Sequence, residues 1–244
     1  MGRTLALIYG VLVYAFSFLT ILYAIAFVGD LPAPRTLDRG PQGLMLPAFL
    51  VDLLLLGLFA LQHSAMARPA FKRWWVRTIP QPIERSTYVL ASSLVLALLF
   101  WAWRPLPGVV WSVGGVSAVL LRAVFWLGWV VVLVSTFLIS HFELFGVSQV
   151  WANFSRRAAE PQAFRTPLLY GFVRHPIYLG FMLAFWAAPV MTAGHLLFAT
   201  ATLAYILVAI QLEEHDLIGT FGEPYLAYRR RVSMLIPLPP RRQA

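Results

Sequence analysis

The residues best suited to chemistry lie in one short segment, where a basic loop meets an apolar stretch. Proline has no N–H and a fixed φ, so Pro176 suits the first helical position and His175 the N-cap. Tyr178 and Leu179 then share a helix face with His175. The N–H groups of a first helical turn attract an anion, and Arg174 could clamp it. This combination predicts an active site.

A second polar cluster follows the last apolar stretch, beginning with Glu213 and Glu214. Paired acids are costly if they face lipid, so they either line a site or end the helix at the interface. Gly222 permits a turn and a proline two residues later can begin a helix, which places Tyr225 and Tyr228 on one face. The arginines at 229–231 favour a helix that lies on the membrane surface.

Histidines at two other predicted helix ends widen the choice of a general base. His63 ends the second apolar stretch and His141, followed by Glu143, ends the fourth. With His175 they are the candidate bases, and Tyr178 is a weaker one. A histidine at a helix end can equally serve only as a hydrogen-bonding group. No HExxH or comparable ligand spacing occurs, so we predict no metal site.

Composition places these residues in a membrane protein. The 244 residues are 60% hydrophobic and 12% charged, which is typical of chains with transmembrane helices. The basic residues flank apolar runs and form no extended basic face, so nucleic acid is not an expected partner, whereas the lipid bilayer is. The chain has no cysteine, so thiolate ligands, thiolate nucleophiles and disulfides are excluded.

The apolar stretches predict an all-α bundle of about six transmembrane helices, the last two forming a short hairpin, and a C-terminal amphipathic segment on the cytoplasmic side. The first resembles a signal peptide but is long enough to be a retained helix. We divide this integrated domain into a four-helix membrane region at 1–140 and a cofactor-binding core at 141–244. The predicted spans are 4–28, 44–66, 86–104, 117–140, 177–193 and 195–212.

Charge asymmetry predicts the orientation. With the N-terminus inside, all but four of the 19 lysines and arginines are cytoplasmic, in accordance with the positive-inside rule. The predicted location is a bacterial inner membrane, with both termini and the active site on the cytoplasmic side. The four exceptions are Arg35, Arg39, Arg104 and Arg122.

The pattern Arg174-His175-Pro176-x-Tyr178-x-Gly180, followed by Glu213-Glu214, Phe221-Gly222, Tyr225-x-x-Tyr228 and Pro237, resembles the isoprenylcysteine carboxyl methyltransferase superfamily of integral membrane methyltransferases. Over nearly its whole length the chain is similar to a bacterial branch, the methanethiol S-methyltransferases. The stretches that carry this closer resemblance are Gln62-His63-Ser64, Glu84-Arg85-Ser86-Thr87-Tyr88 and His141-Phe142-Glu143-Leu144-Phe145-Gly146.

The resemblance implies S-adenosyl-L-methionine as methyl donor, S-adenosyl-L-homocysteine as its product, and a small volatile thiol as acceptor. It implies in-line methyl transfer to the methanethiol thiolate, which gives dimethyl sulfide. The cofactor-binding residues expected from it are Glu143, Arg174, His175, Tyr178, Leu179, Glu213, Glu214, Tyr225 and Tyr228.

Several alternatives remain open at this point. The acceptor could instead be another thiol, a lipid or an amine. A nonenzymatic accessory or transport component would bind no cofactor, and a nicotinamide-dependent reductase would use the arginines at 229–231 for nucleotide phosphates. Binding of the methyl donor separates the methyltransferases from the last two classes.

Overall fold

The structure is a computed structural model that describes residues 2–157 and 164–237. Within that part of the chain, five helices are long and apolar enough to cross a membrane, and the apolar helix α8 is shorter. The prediction of an all-α integral membrane protein is confirmed. The helices are α1 (Arg3–Val28), α2 (Met45–Ala67), α3 (Pro69–Trp75), α4 (Gln81–Ala102), α5 (Gly115–Ile139), α6 (His141–Leu144), α7 (Val147–Ser155), α8 (Pro176–Trp186), α9 (Ala193–Phe221) and α10 (Glu223–Arg231).

The region of the predicted short hairpin differs in detail from the expectation. Helix α8 ends at Trp186, earlier than predicted, whereas α9 runs on to Phe221 and includes the paired acids. Because Glu214 is only 2% exposed and has partners within the protein, the helix does not need to end there. A short antiparallel pair of strands, β1 (Val109–Ser112) and β2 (Val190–Thr192), was not predicted.

Within the described residues, the first of two compact units consists of segments 2–112, 141–157 and 190–201. In it α1 and α2 pack against α4, and α7 packs against α1 and α4. Gly146 joins α6 to α7 with φ +84°, and a Cβ there would lie 2.7 Å from the backbone nitrogen of Ser86. Glycine therefore allows the α6–α7 turn to lie directly against α4.

The buried carboxylate Asp52 also belongs to the first unit. It lies inside α2, is fully buried, and accepts a hydrogen bond of 2.9 Å from the backbone N–H of Arg104. A polar partner for this acid is what its position within an apolar helix predicts.

The described part of the second unit consists of segments 113–140, 164–189 and 202–237. Its α5 and α8 approach closely, since a Cβ on Gly128 would lie 2.6 Å from the carbonyl oxygen of Gly180 and from the backbone nitrogen of Ala184. Small residues permit such contacts between membrane helices. Gly180 of the sequence motif thus has a packing role. The domain boundary placed at residue 140 stays a prediction.

Candidate functional site

The start of α8 has the local structure that the sequence predicted. His175 is the N-cap and Pro176 occupies the first turn. The backbone N–H groups of Arg174 and His175 donate to the carbonyls of Ser233 and Met234, at 2.8 and 3.2 Å. The C-terminal segment therefore runs beside the residues that precede α8.

An ion cluster in the second unit is centred on Glu214. Its Oε1 accepts hydrogen bonds from Arg174 Nε at 2.7 Å and His175 Nε2 at 3.1 Å, and its Oε2 lies 3.0 Å from Arg229 Nε. The Glu214 side chain is only 3% exposed, so these contacts are shielded from water. One buried carboxylate thus links the start of α8 to α10.

Arg174 has further partners beside that carboxylate. Its Nη1 donates to the carbonyl oxygens of Val232 at 2.5 Å and Arg229 at 3.1 Å. Arg174 therefore binds the backbone at the C-terminal end of α10. Its expected contact with a cofactor carboxylate stays a prediction. The ion pair of Arg229 was missed, because its basic neighbours indicated only a membrane-facing surface.

His175 lies between two carboxylates. Besides the bond to Glu214, its Nδ1 is 3.7 Å from Glu213 Oε2, and the Glu213 side chain is 43% exposed. A carboxylate only accepts hydrogen bonds, so His175 Nε2 must carry a proton and donate it. This arrangement suits a binding role for His175 better than that of a base. Glu213 remains accessible to a positively charged ligand.

The two predicted tyrosines of α10 are buried side by side. Tyr225 and Tyr228 are 2% and 4% exposed, and the Phe164 ring lies 5.8 and 5.4 Å from theirs. Burial raises the pKa of both phenols, so they remain protonated donors. Tyr228 Oη donates to the Tyr170 carbonyl at 2.6 Å, whereas the buried Tyr225 Oη has no hydrogen-bond partner within the described residues.

Tyr178 and Leu179 lie on the face of α8 that the sequence predicted. The Tyr178 ring is 5.7 Å from the His175 ring. Both residues also pack against an apolar cluster that includes Ile206 and Ile210 of α9. Eight of the predicted site residues are therefore in the second unit, namely Arg174, His175, Tyr178, Leu179, Glu213, Glu214, Tyr225 and Tyr228.

The remaining predicted residues belong to the first unit, where the histidines contact hydroxyl groups. His63 Nε2 lies 3.0 Å from Tyr88 Oη, and its Nδ1 lies 3.2 Å from Ser92 Oγ. His141 Nε2 lies 2.9 Å from Tyr14 Oη. The tyrosine partners were not predicted, because residues so far apart in sequence carry no local signal of their contact.

Glu143 also lies in the first unit. Its backbone carbonyl accepts hydrogen bonds from the N–H of Gly146 at 3.2 Å and from Gln149 Nε2 at 3.3 Å. The structure thus gives its backbone a role in forming the α6–α7 turn. Cofactor binding by its side chain stays a prediction.

Curated relatives cover nearly the whole chain. Methanethiol S-methyltransferase 1 of Bradyrhizobium diazoefficiens is 58% identical over 236 residues, which is 96% of this chain and 83% of the relative. The methanethiol S-methyltransferase of Mycobacterium tuberculosis is 53% identical over 242 residues, 99% of each chain. The chain belongs to the methanethiol S-methyltransferase family. Family membership identifies it as an enzyme of the methyltransferase class.

More distant similarity extends beyond this family. Nurim of Xenopus laevis is 31% identical over 176 residues, 68% of this chain and 61% of the relative. Such a relative fits the wider superfamily of membrane proteins related to isoprenylcysteine carboxyl methyltransferase. No protein-family model matches the chain, and no solved structure matches it.

Proposed function

We propose that this enzyme methylates methanethiol to dimethyl sulfide with S-adenosyl-L-methionine as donor, in a bacterial inner membrane with both termini and the active site on the cytoplasmic side. The observation that carries the donor assignment is the mixed-charge cluster around Glu214, which places two arginines and an accessible second carboxylate beside His175. The assignment of methanethiol as the acceptor rests on the activity for which the relatives are named.

The residues of the second unit fit the chemical groups of this donor. A guanidinium suits the donor's α-carboxylate, and Arg174 and Arg229 are the candidates. The accessible carboxylate of Glu213 suits its α-ammonium or ribose hydroxyls. The aromatic rings of Tyr225 and Phe164 suit the adenine or the sulfonium, and the orphaned Tyr225 Oη is a donor that a polar ligand atom would satisfy.

When bound, S-adenosyl-L-methionine supplies a methyl group on a sulfonium, which the thiolate sulfur takes by in-line displacement, leaving S-adenosyl-L-homocysteine. The protein's contribution is to bind and orient both partners and to exclude water. Thiolate and sulfonium cancel each other's charge as they react, so a low-dielectric site favours the transfer. The same environment disfavours forming the thiolate, so a base must accept the thiol proton.

The direct test supplies purified, detergent-solubilised protein with S-adenosyl-L-methionine and methanethiol and measures headspace dimethyl sulfide by gas chromatography. Product only when all three components are present supports the proposal. No product, together with a clear thermal shift on adding S-adenosyl-L-homocysteine, would overturn the acceptor and retain the donor. Absence of both responses in folded protein would overturn the donor assignment as well.

A matched pair of variants tests the donor site. Glu213→Gln removes the accessible charge beside His175, and Glu223→Gln removes an exposed charge that pairs with Arg230. We expect the first variant to weaken S-adenosyl-L-homocysteine binding about tenfold, since a lost hydrogen bond to a charged group costs about 1.5–3 kcal/mol. The second should bind like the wild type. Equal affinity of the two variants would contradict the assignment of Glu213.

A further inference from the structure

Two histidine–tyrosine pairs in the first unit are joined by one group of side chains. Phe145 has its ring 4.8 Å from that of His141 and 5.7 Å from that of Tyr14. It also packs, together with Met66, on the buried cluster that contains Tyr88, the partner of His63. We call His63, Tyr88, Tyr14, His141, Phe145 and Met66 the His–Tyr cluster.

The His–Tyr cluster has the chemical character that a small thiol requires. Sulfur makes favourable contacts with aromatic rings, and the cluster supplies Phe145 and the thioether of Met66. Its hydroxyls and imidazoles are neutral donors and acceptors that can recognise an S–H group. Its imidazoles are hydrogen-bonded to hydroxyl groups, including those of Tyr14 and Tyr88. This separates it from the ion cluster around Glu214.

A buried hydrogen-bond acceptor, Gln62 Oε1, belongs to a residue that contacts Met66 of the cluster. Gln62 Nε2 lies 3.1 Å from Met66 Sδ and 3.4 Å from Ser92 Oγ. Its Oε1 is buried and has no hydrogen-bond partner within residues 2–157 and 164–237. A buried acceptor without a donor is costly, so it marks a place where a bound polar group would be favoured. This observation is independent of the two pairs.

The two imidazoles are held differently. The Tyr88 hydroxyl lies 3.1 and 3.0 Å from the two ring nitrogens of His63, Ser92 Oγ lies beside Nδ1, and the Phe59 ring stacks on the imidazole at 5.2 Å. His63 is therefore suited to orienting hydroxyl groups. His141 is buried, and burial lowers its pKa, so it is a neutral acceptor at pH 7.

We propose that the His–Tyr cluster binds the acceptor thiol and that the Tyr14–His141 pair accepts its proton. This inference rests on the proposed function, because it takes a thiol as the acceptor. The S–H bond breaks as its proton passes to the Tyr14 oxygen, while the Tyr14 O–H proton passes to His141 Nε2. The S–H electron pair stays on sulfur, and the products are a thiolate, an imidazolium and an unchanged phenol.

The surroundings of His141 bear on this proton transfer. Tyr14 from α1 is hydrogen-bonded to its ring, Arg85 of α4 binds the backbone of the same short helix, and Glu143 lies two residues along that helix. Arg85 Nε donates to the Leu144 carbonyl at 2.8 Å, and its guanidinium lies 5.0 Å from the centre of the Tyr88 ring. The cation near the cluster favours a thiolate there, since opposite charges attract strongly where water is excluded.

The first test detects the thiolate without methyl transfer. Methanethiol is added to the wild-type protein at a pH where the free thiol is protonated, and the ultraviolet difference spectrum is recorded for thiolate absorption. We expect a thiolate signal in the wild type and its loss in His141→Gln and Tyr14→Phe. The matched control is Tyr9→Phe, which removes another tyrosine hydroxyl of α1, 3.1 Å from Thr87 Oγ1 of α4, and should keep the signal.

The second test measures kcat/KM for methanethiol across pH in the same variants, with S-adenosyl-L-homocysteine binding as a check on the donor site. Loss of a general base costs about 10²–10⁴-fold, so we expect about a hundredfold loss at pH 7 that shrinks as higher pH supplies free thiolate. Tyr88→Phe should mainly raise KM. A merely structural role would give losses that do not change with pH.

The outcomes separate this inference from the proposed function. A thiolate signal that depends on His141 and Tyr14, without dimethyl sulfide formation, would support the inference and overturn the proposed reaction. Dimethyl sulfide formation with no thiolate signal, or with Tyr14→Phe as active as Tyr9→Phe, would overturn the inference and leave the reaction standing.

Discussion

His175 in the second unit differs from His63 and His141 in the first unit in the groups that its ring contacts. In the second unit His175 donates to the Glu214 carboxylate, and the same carboxylate binds Arg174 and Arg229. In the first unit His63 is hydrogen-bonded to the Tyr88 and Ser92 hydroxyls, and His141 lies 2.9 Å from the Tyr14 hydroxyl. The hydrogen bond of His175 thus involves a charged group, whereas those given for His63 and His141 involve neutral hydroxyls.

This difference assigns different tasks to the same type of residue. An imidazole that donates to a carboxylate is held as a donor, and it is suited to binding and orienting a charged ligand. An imidazole beside a phenol can take up a proton that the hydroxyl relays, and the phenol is left unchanged. Methyl transfer from a charged donor to a thiol involves one charged and one neutral partner.

The ion cluster should show the largest effect of a single substitution. Glu214→Ala leaves Arg174, His175 and Arg229 facing one another without their shared anion. Removing one partner of a buried ion pair costs about 3–5 kcal/mol, so we expect a large drop in melting temperature and no detectable S-adenosyl-L-homocysteine binding. Thermal melts with and without that ligand measure both.

The control for this substitution is an exposed ion pair in the same unit. Glu223→Ala breaks the contact between Glu223 and Arg230, whose side chains are 69% and 63% exposed. An exposed pair contributes about 0–1 kcal/mol, so this variant should melt like the wild type. Equal melting temperatures of Glu214→Ala and Glu223→Ala would show that the buried ion cluster contributes no more to stability than the exposed ion pair does.

Helix packing in the second unit should give the next largest effect. Gly128→Leu places side-chain atoms where α8 backbone atoms already lie, at 2.6 Å from the new Cβ. Backbone cannot move aside as a flexible side chain can, so we expect a loss of about 3 kcal/mol, the upper end for overpacking. Thermal melting of the purified variant measures it, and the ion cluster should be weakened because α8 carries His175 at its start.

Gly57→Leu is the matched control for the packing test. Gly57 lies in the membrane-spanning helix α2, and a Cβ there would have no other atom within 4 Å. The same change should therefore have little effect on stability. A melting temperature that fell equally in both variants would show that the glycine-to-leucine change itself, and not the α5–α8 contact, is responsible.

The turn that carries His141 should show a more selective effect. Gly146→Ala forces a side chain into φ +84° and brings its Cβ 2.5 Å from Ser86 Oγ. A left-handed conformation costs a non-glycine residue about 1–2 kcal/mol. We expect a raised KM for methanethiol and unchanged S-adenosyl-L-homocysteine binding, because only the first unit is disturbed. Gly43→Ala, in open space within a loop, should change neither quantity.

Local features, such as the starts of helices, could be predicted from the sequence, whereas contacts between residues far apart in the chain could not. The N-cap His175 with Pro176, and the α10 start after Gly222, follow from backbone preferences of single residues. The pair of Tyr14 and His141 joins residues 127 positions apart, and only the packing of helices brings them together. The extension of α9 through Glu214 escaped prediction for the same reason, because its partners come from other elements.

A contact between a carboxylate and a hydroxyl extends the comparison of charged and neutral contacts. Its substitution should have the smallest effect on the melting temperature. In the first unit the Thr192 hydroxyl donates to Asp38 Oδ1 at 2.5 Å and accepts the backbone N–H of His195 at 3.0 Å. Burial raises the pKa of Asp38, and this outweighs the lowering by the Thr192 hydrogen bond and by His195 and Arg39.

A raised pKa in the folded state means that the folded protein binds more protons than the unfolded chain between the ordinary aspartate pKa and the raised value. Stability therefore falls as pH rises through that window, and the ionised carboxylate stays a cost above it. Asp38→Asn keeps a hydrogen-bond acceptor for Thr192 without the charge. We expect a slightly higher melting temperature than the wild type at pH 7 and above, and a difference that vanishes as pH falls towards about 4, near the unperturbed aspartate pKa. A difference in melting temperature that is the same at all pH values would mean that folding does not shift the pKa of Asp38. The Thr192 hydrogen bond would then offset the cost of burying the charged carboxylate.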